Sequence, residues 1–133
     1  VDMPPGTGDT QLTFSQEIKM DGAIIVSTPQ EVALLDVKRG IKMFDKLGVK
    51  ILGLIDNMSF FTGDDGKKYK IFGEGGVKKT AEEFKKDFLG EIPIDPEVGK
   101  SGDEGKPIVE SNPDHEISKI FINLAKTIKS KYF

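Results

Sequence analysis

Compact apolar runs alternate along this chain with segments whose apolar residues recur every third or fourth position. Asp21-Gly22-Ala23-Ile24-Ile25-Val26 is a run of the first kind, following a turn signal. Lys50-Ile51-Leu52-Gly53-Leu54-Ile55 is the next, ending at Asp56-Asn57-Met58. Both fit strands buried on both faces. Phe88-Leu89-Gly90-Glu91-Ile92-Pro93 reads as a third short strand, with Pro93 marking its end.

Between the runs the period lengthens to that of a helix. Thr28 is a good N-cap, Pro29 suits the first helical position and Glu31 completes a capping box. Leu34, Val37, Ile41 and Phe44 then form one apolar stripe, with Lys38, Lys42 and Asp45 turned away and Gly48 as the stop. Residues 77–86 form a mostly charged helix with Ala81 and Phe84 facing inward, and residues 94–108 are loop with one short helical turn. Asn112-Pro113 starts a last helix with Ile117, Ile120, Phe121, Leu124 and Ile128 on its apolar face. Residues 10–18 read as a short helix. Strands alternating with helices predict an α/β fold, a parallel sheet with helices on its faces.

The pattern breaks between Asn57 and Gly76. Phe60-Phe61, Tyr69 and Ile71-Phe72 flank a polar stretch whose Gly63-Asp64-Asp65-Gly66 is a turn signal, so a short hairpin is expected there. Lys67-Lys68-Tyr69-Lys70 suggests nucleic acid only weakly; one basic run in an acidic chain reads as an exposed edge.

Composition narrows the function. The chain has 133 residues, 37% hydrophobic and 31% charged, with a formal net charge of −3. That is at most one domain with an ordinary core, and its charge argues against a strong nucleic-acid footprint. It contains no cysteine, so its own residues offer no disulfide, thiolate metal site or iron–sulfur ligand. No signal peptide or membrane-length apolar run is visible, which makes the cytosol the expected compartment. His115, the one histidine, falls in the first turn of a solvated helix and is poorly placed for catalysis.

The candidate chemistry lies at the start. Val1-Asp2-Met3-Pro4-Pro5-Gly6-Thr7-Gly8-Asp9 reads as a loop leaving a buried strand, with Asp2 at the strand's carboxyl end, where open α/β sheets bind ligands. The prolines stiffen the exit, and Gly6 and Gly8 offer bare N–H groups suited to an anion. The acid fits a Mg²⁺ or a water beside a phosphate; the competing reading is a Pro- and Gly-rich surface turn. No apolar run precedes the loop, so the chain is expected to be the C-terminal part of a larger protein. No G-x-x-x-x-G-K-[ST] occurs, so any phosphate-cradling P-loop is expected outside this chain.

Taken together, these motifs resemble the Mrp (ApbC-like) P-loop ATPases, iron–sulfur cluster carriers related to the MinD and ParA ATPases. The resemblance rests on the opening loop, Ile25-Val26-Ser27-Thr28-Pro29-Gln30, Asp56-Asn57-Met58-Ser59-Phe60-Phe61, Ile71-Phe72-Gly73-Glu74-Gly75-Gly76, Gly90-Glu91-Ile92-Pro93-Ile94-Asp95 and Gly105-Lys106-Pro107-Ile108-Val109, in that order. It implies that residues 1–133 are the C-terminal portion of one doubly wound, mostly parallel P-loop NTPase domain. It implies ATP with Mg²⁺ in the full-length protein. Asp2 would hold a Mg²⁺-bound water or align the attacking water, and Gly6 would direct its N–H at the γ-phosphate. Asn57, at the end of its strand, would bond the adenine edge, and Pro93 and Asp95 would lie in a loop closing over the base. Without the resemblance, Asn57 reads as an Asx-turn residue.

The resemblance further implies a homodimer and iron–sulfur client or scaffold partners, with no nucleic acid and no membrane. One departure stands out. Where the family carries Cys-x-x-Cys, this chain has Gly63-Asp64-Asp65-Gly66, whose carboxylates are hard donors unsuited to a cluster. The resemblance thus leaves a carrier ATPase, a non-catalytic interaction module of the same fold, and a MinD-like or ParA-like positioning ATPase.

Overall fold

The computed structural model describes residues 1–4 and 6–133; the reading of Pro5 lies outside them. The elements run α1 (Asp9–Glu17), β1 (Ala23–Ser27), α2 (Glu31–Leu47), β2 (Ile51–Thr62), β3 (Lys68–Tyr69), α3 (Gly76–Glu83), β4 (Phe88–Ile94), α4 (Pro96–Asp103), α5 (Ile108–Ser111) and α6 (Glu116–Tyr132). β2 is the centre of a mixed, mostly parallel sheet. β1 runs parallel along one side of it and β4 parallel along the other. Past the end of β1, the short β3 pairs antiparallel with β2, Phe61 facing Tyr69 and Thr62 facing Lys68.

Helices cover both faces, as the alternating pattern requires. On one face Val37 and Ile41 of α2 and Val77 and Ala81 of α3 close over Ile51 and Leu54. On the other, Ile108 of α5 and Ile117 and Leu124 of α6 close over Ile55 and Ile92. Ile41, Leu54 and Val77 have no exposed surface. At about 25 cal/mol per Å² of apolar area, side chains of this size each contribute about 1.5–3 kcal/mol when fully buried.

Several local expectations are corrected by packing. β1 is not buried on both faces: Ile24 and Val26 are exposed, and only Ile25 of the three packs on the core. β2 does not stop at Asn57 but runs on to Thr62, because Met58 takes a left-handed φ of 53° that bulges the strand without ending it. Residues 94–108 hold more than one turn, since α4 spans eight residues.

The helix starts also shift. α2 is capped at Gln30, not Thr28, whose hydroxyl instead donates to the Gln30 side chain. α6 begins at Glu116 with His115 as its cap, not at Asn112-Pro113. His115 Nδ1 accepts from the Ile117 N–H at 3.2 Å, and Asn112 O accepts the Ser118 hydroxyl at 2.7 Å. Gly48 does end α2, at a φ of 70° that costs a glycine little.

Candidate functional site

The parallel strands β1, β2 and β4 point their carboxyl ends the same way, and chemistry-bearing residues gather there. Ser27, Asp56 and Glu91 lie side by side in register across the three strands. Asn57 follows Asp56 and pairs with Ile92. It is half-buried inside β2 rather than at a strand end, which corrects the expected position. Pro93 likewise sits within β4, not in a covering loop. Asp95 lies just beyond β4 and has a structural role, because its Oδ1 accepts from the Glu97 N–H at 2.8 Å and caps α4. Its other oxygen is 3.8 Å from His115 Nε2. Asn57, Pro93 and Asp95 are thus brought near one another along the β2–β4 pair, Asn57 opposite Ile92 and Asp95 just past the end of β4.

The opening loop keeps its acid and glycines accessible. Asp2 and Gly6 are exposed, and Gly6 has a φ of 104°, a conformation that side-chain-bearing residues rarely adopt. Gln11 of α1 donates from Nε2 to Pro4 O at 2.9 Å and steadies the loop. A Cβ at Gly6 would meet only the Gln11 amide at 3.9 Å, so the backbone there is open to approach. These groups suit a hydrated Mg²⁺ and a phosphate oxygen, while the cationic P-loop lysine of a complete ATP site is not supplied by this chain.

The loop after β1 and the exit of the hairpin are locked together. Cβ atoms at Gly73 and Gly76 would lie 3.2 Å and 3.1 Å from Pro29 O, so the Gly-Glu-Gly-Gly segment exists in part to let backbone approach backbone. At the hairpin tip, Asp65 accepts from Tyr69 OH at 2.7 Å and from the Lys67 N–H at 3.0 Å. These bonds, the tyrosine's first, hold its carboxyl below the usual range. Gly63-Asp64-Asp65-Gly66 is therefore a hydrogen-bonded, solvated turn. Lys68 and Lys70 lie 4.4 Å and 5.2 Å from the centre of the Phe60 ring, which is buried rather than part of an exposed patch.

Sequence reasoning missed Asp56. It is 1% exposed, and its Oδ1 has no hydrogen-bond partner among the described residues. Burial first, then the Glu91 carboxylate beside it, push its pKa up to about 6, with Lys70 pulling the other way. The available signal is an acid placed directly after the apolar run Ile51–Ile55, where a strand end is expected but buried strand continues.

With this geometry in hand, the relatives are informative. Residues 1–129 match the model of the ParA family described as NUBPL iron-transfer P-loop NTPase. This chain belongs to that family. It is 47% identical over 129 residues to an iron–sulfur cluster carrier protein of Aquifex aeolicus, covering 96% of this chain and 35% of that protein. It is 46% identical over 128 residues to the iron–sulfur cluster transfer protein NUBPL of Dictyostelium discoideum, covering 96% of this chain and 40% of that one. A solved structure, the nucleotide-binding protein of Archaeoglobus fulgidus in complex with ADP, superimposes with a TM-score of 0.72 at 40% identity, over 84% of this chain and 46% of that chain. The chain therefore spans less than half the length of these relatives, and its fold is that of part of a P-loop NTPase.

Proposed function

We propose that this chain is the base-side, switch-loop portion of an ATP-binding carrier ATPase that serves iron–sulfur cluster assembly or transfer in the cytoplasm. The observation that carries the reading is 47% identity, across nearly the whole chain, to an iron–sulfur cluster carrier. In it, Asp2 holds a Mg²⁺-bound water or aligns the attacking water, and Gly6 directs its N–H at the γ-phosphate. Asn57, Pro93 and Asp95 form the base side. The Asp95 carboxylate also caps α4, which would fix the position of the β4 end relative to the nucleotide. The cluster is cargo, and this chain has no thiolate to hold it. Ligands come from elsewhere in the longer protein or from a client.

The same reading makes residues 1–133 part of one nucleotide-binding domain and the protein a homodimer with the Phe60-to-Phe72 excursion at its interface, Phe60 itself being buried. Tyr69 and Ile71 are exposed on that hairpin. The degree of identity to the carriers favours this over a positioning ATPase. The remaining alternative, an interaction module without catalysis, is separated by experiment. In a protein of the relatives' length carrying this chain, ATP hydrolysis should be measurable and Asp2→Ala should abolish it with the fold intact. Nucleotide binding without hydrolysis, unchanged by Asp2→Ala, would instead indicate the module. The chain by itself should show neither ATP turnover nor a stoichiometric cluster after anaerobic treatment with iron and sulfide; either result would contradict the assignment of roles.

A further inference from the structure

We propose that Asp56, Glu91 and Lys70 form a proton-linked latch that ties the β2–β3 hairpin to the end of β4. Three geometric facts carry it, and none depends on the nucleotide-binding role. Asp56 is buried, with an orphaned carboxylate oxygen. Glu91 sits directly beside it in register on the neighbouring strand. Lys70, just past β3 on the hairpin's exit, places its Nζ 3.8 Å from Glu91 Oε1.

A buried carboxylate oxygen with no donor among the described residues costs folding free energy, and protonation relieves that cost. The groups around Asp56 set when it is protonated. From β4 the Glu91 carboxylate repels negative charge and favours the protonated form; from the hairpin the Lys70 ammonium favours the ionised form. From β1 the neighbour is Ser27, whose hydroxyl is occupied by Thr28 O at 2.9 Å. α2 and α3 bring the apolar Val37, Ile41, Val77 and Ala81 to this part of the sheet.

The coupling runs both ways. If Lys70 near Glu91 favours loss of the Asp56 proton, loss of that proton must favour the seated Lys70 by the same amount. Two adjacent carboxylates then share one ammonium, and the hairpin is held against β4. Proton uptake removes one of the negative charges and loosens it. The latch thereby places the mobility of the exposed Tyr69–Ile71 edge under the control of the Asp56 proton.

The test is a carboxyl-carbon NMR titration of the full chain from about pH 4.5 to about pH 7.5, which brackets the ordinary and the raised carboxyl values. Hairpin amide exchange, corrected for its intrinsic pH dependence, is followed in parallel. Asp56 should titrate near the raised value, well above a solvated aspartate. Glu91→Gln should lower the midpoint, and Lys70→Gln should raise it, each by several tenths of a unit. Hairpin protection should rise as Asp56 loses its proton in the native protein and stay flat in Asp56→Asn. A midpoint in the ordinary aspartate range would overturn the proposal. So would a raised midpoint that neither substitution moves, or hairpin exchange that ignores the titration. Should Asp56→Asn fail to fold, the Glu91 and Lys70 variants still decide.

Discussion

Two regions of the sheet treat their polar groups in opposite ways. At the amino ends of β2 and β4, Tyr132 near the end of α6 donates to Leu52 O at 2.6 Å and pairs with the Asp87 carboxylate. Lys131 reaches the same carboxylate at 2.7 Å, and Lys50 lies 4.6 Å from the centre of the Tyr132 ring. Every polar group named there has a partner. Level with the carboxyl end of β1, midway along β2, Asp56 is more deeply buried and keeps an oxygen with no partner among the described residues. The difference separates a closing contact from the candidate site. One region uses polar groups to pin the last helix to the sheet; the other keeps an unsatisfied carboxylate oxygen where the three parallel strands lie side by side. Buried groups left unsatisfied are costly, and costs of this kind concentrate where function requires them.

The two regions should also answer pH with opposite sign. Burial and Glu91 raise the Asp56 pKa from 3.8 to about 6, so the folded state takes up its proton more readily than the unfolded chain. Its contribution to stability is full below about pH 4 and is lost as pH rises through about 6. Asp87 is lowered by Lys131 and Tyr132, so its contribution is present above the ordinary carboxylate range and is lost as pH falls through that range.

The largest effect should come from Asp56→Asn. It removes the charge but keeps the shape, and at about 1.4 kcal/mol per pKa unit the two-unit shift sets an upper bound near 3 kcal/mol. Because an amide remains buried, we expect a gain on the order of 1–2 kcal/mol at about pH 8 in denaturant unfolding, with the stability change between about pH 4 and about pH 6 flattened. A loss of stability at high pH would break the contrast between the two regions. Next, Tyr132→Phe should cost about 1 kcal/mol, since Leu52 O and Asp87 lose a shared donor; no loss would mean the amino-end network does not pin α6. Asp95→Ala should cost about 1 kcal/mol through the lost α4 cap and appear as faster amide exchange at Glu97 and Val98. Tyr69→Phe removes only a solvated bond to Asp65 and should leave the thermal midpoint unchanged, while a measurable drop would show the hairpin tip to be structural.

Much of this architecture is written locally. The apolar runs at Ala23–Val26, Ile51–Ile55 and Phe88–Ile92 are strands, and the stripes led by Leu34 and Ile117 are helices, because burial of one face dictates period. The hairpin around Gly63–Gly66 is equally readable from its turn residues. What escapes local reading depends on partners distant in sequence or on a choice between nearby caps. Whether Asn57 ends a strand is decided by Ile92 across the sheet, and Asp56 is flanked in register by Ser27 and Glu91 on the strands either side. His115, not Asn112, caps α6 because its Nδ1 accepts from the Ile117 N–H, while Asn112 ends α5 with its backbone carbonyl accepting from Ser118. Motifs point to the site residues through resemblance; their chemistry alone leaves Asp2 and Asn57 open to bland readings as turn residues.

On the proposed reading, the carboxyl ends of β1, β2 and β4, with the opening loop, face the nucleotide, while the Tyr132 end does not. Hydrogen–deuterium exchange in a protein of the relatives' length carrying this chain, with and without Mg²⁺ and ATP, tests it directly. The account predicts slowed exchange in residues 2–8, around Asn57 and across 93–98, with residues 50–52, 87 and 129–132 unchanged. Protection confined to the Tyr132 end, or none in the opening loop and at the β4 end when ATP is bound, would contradict it.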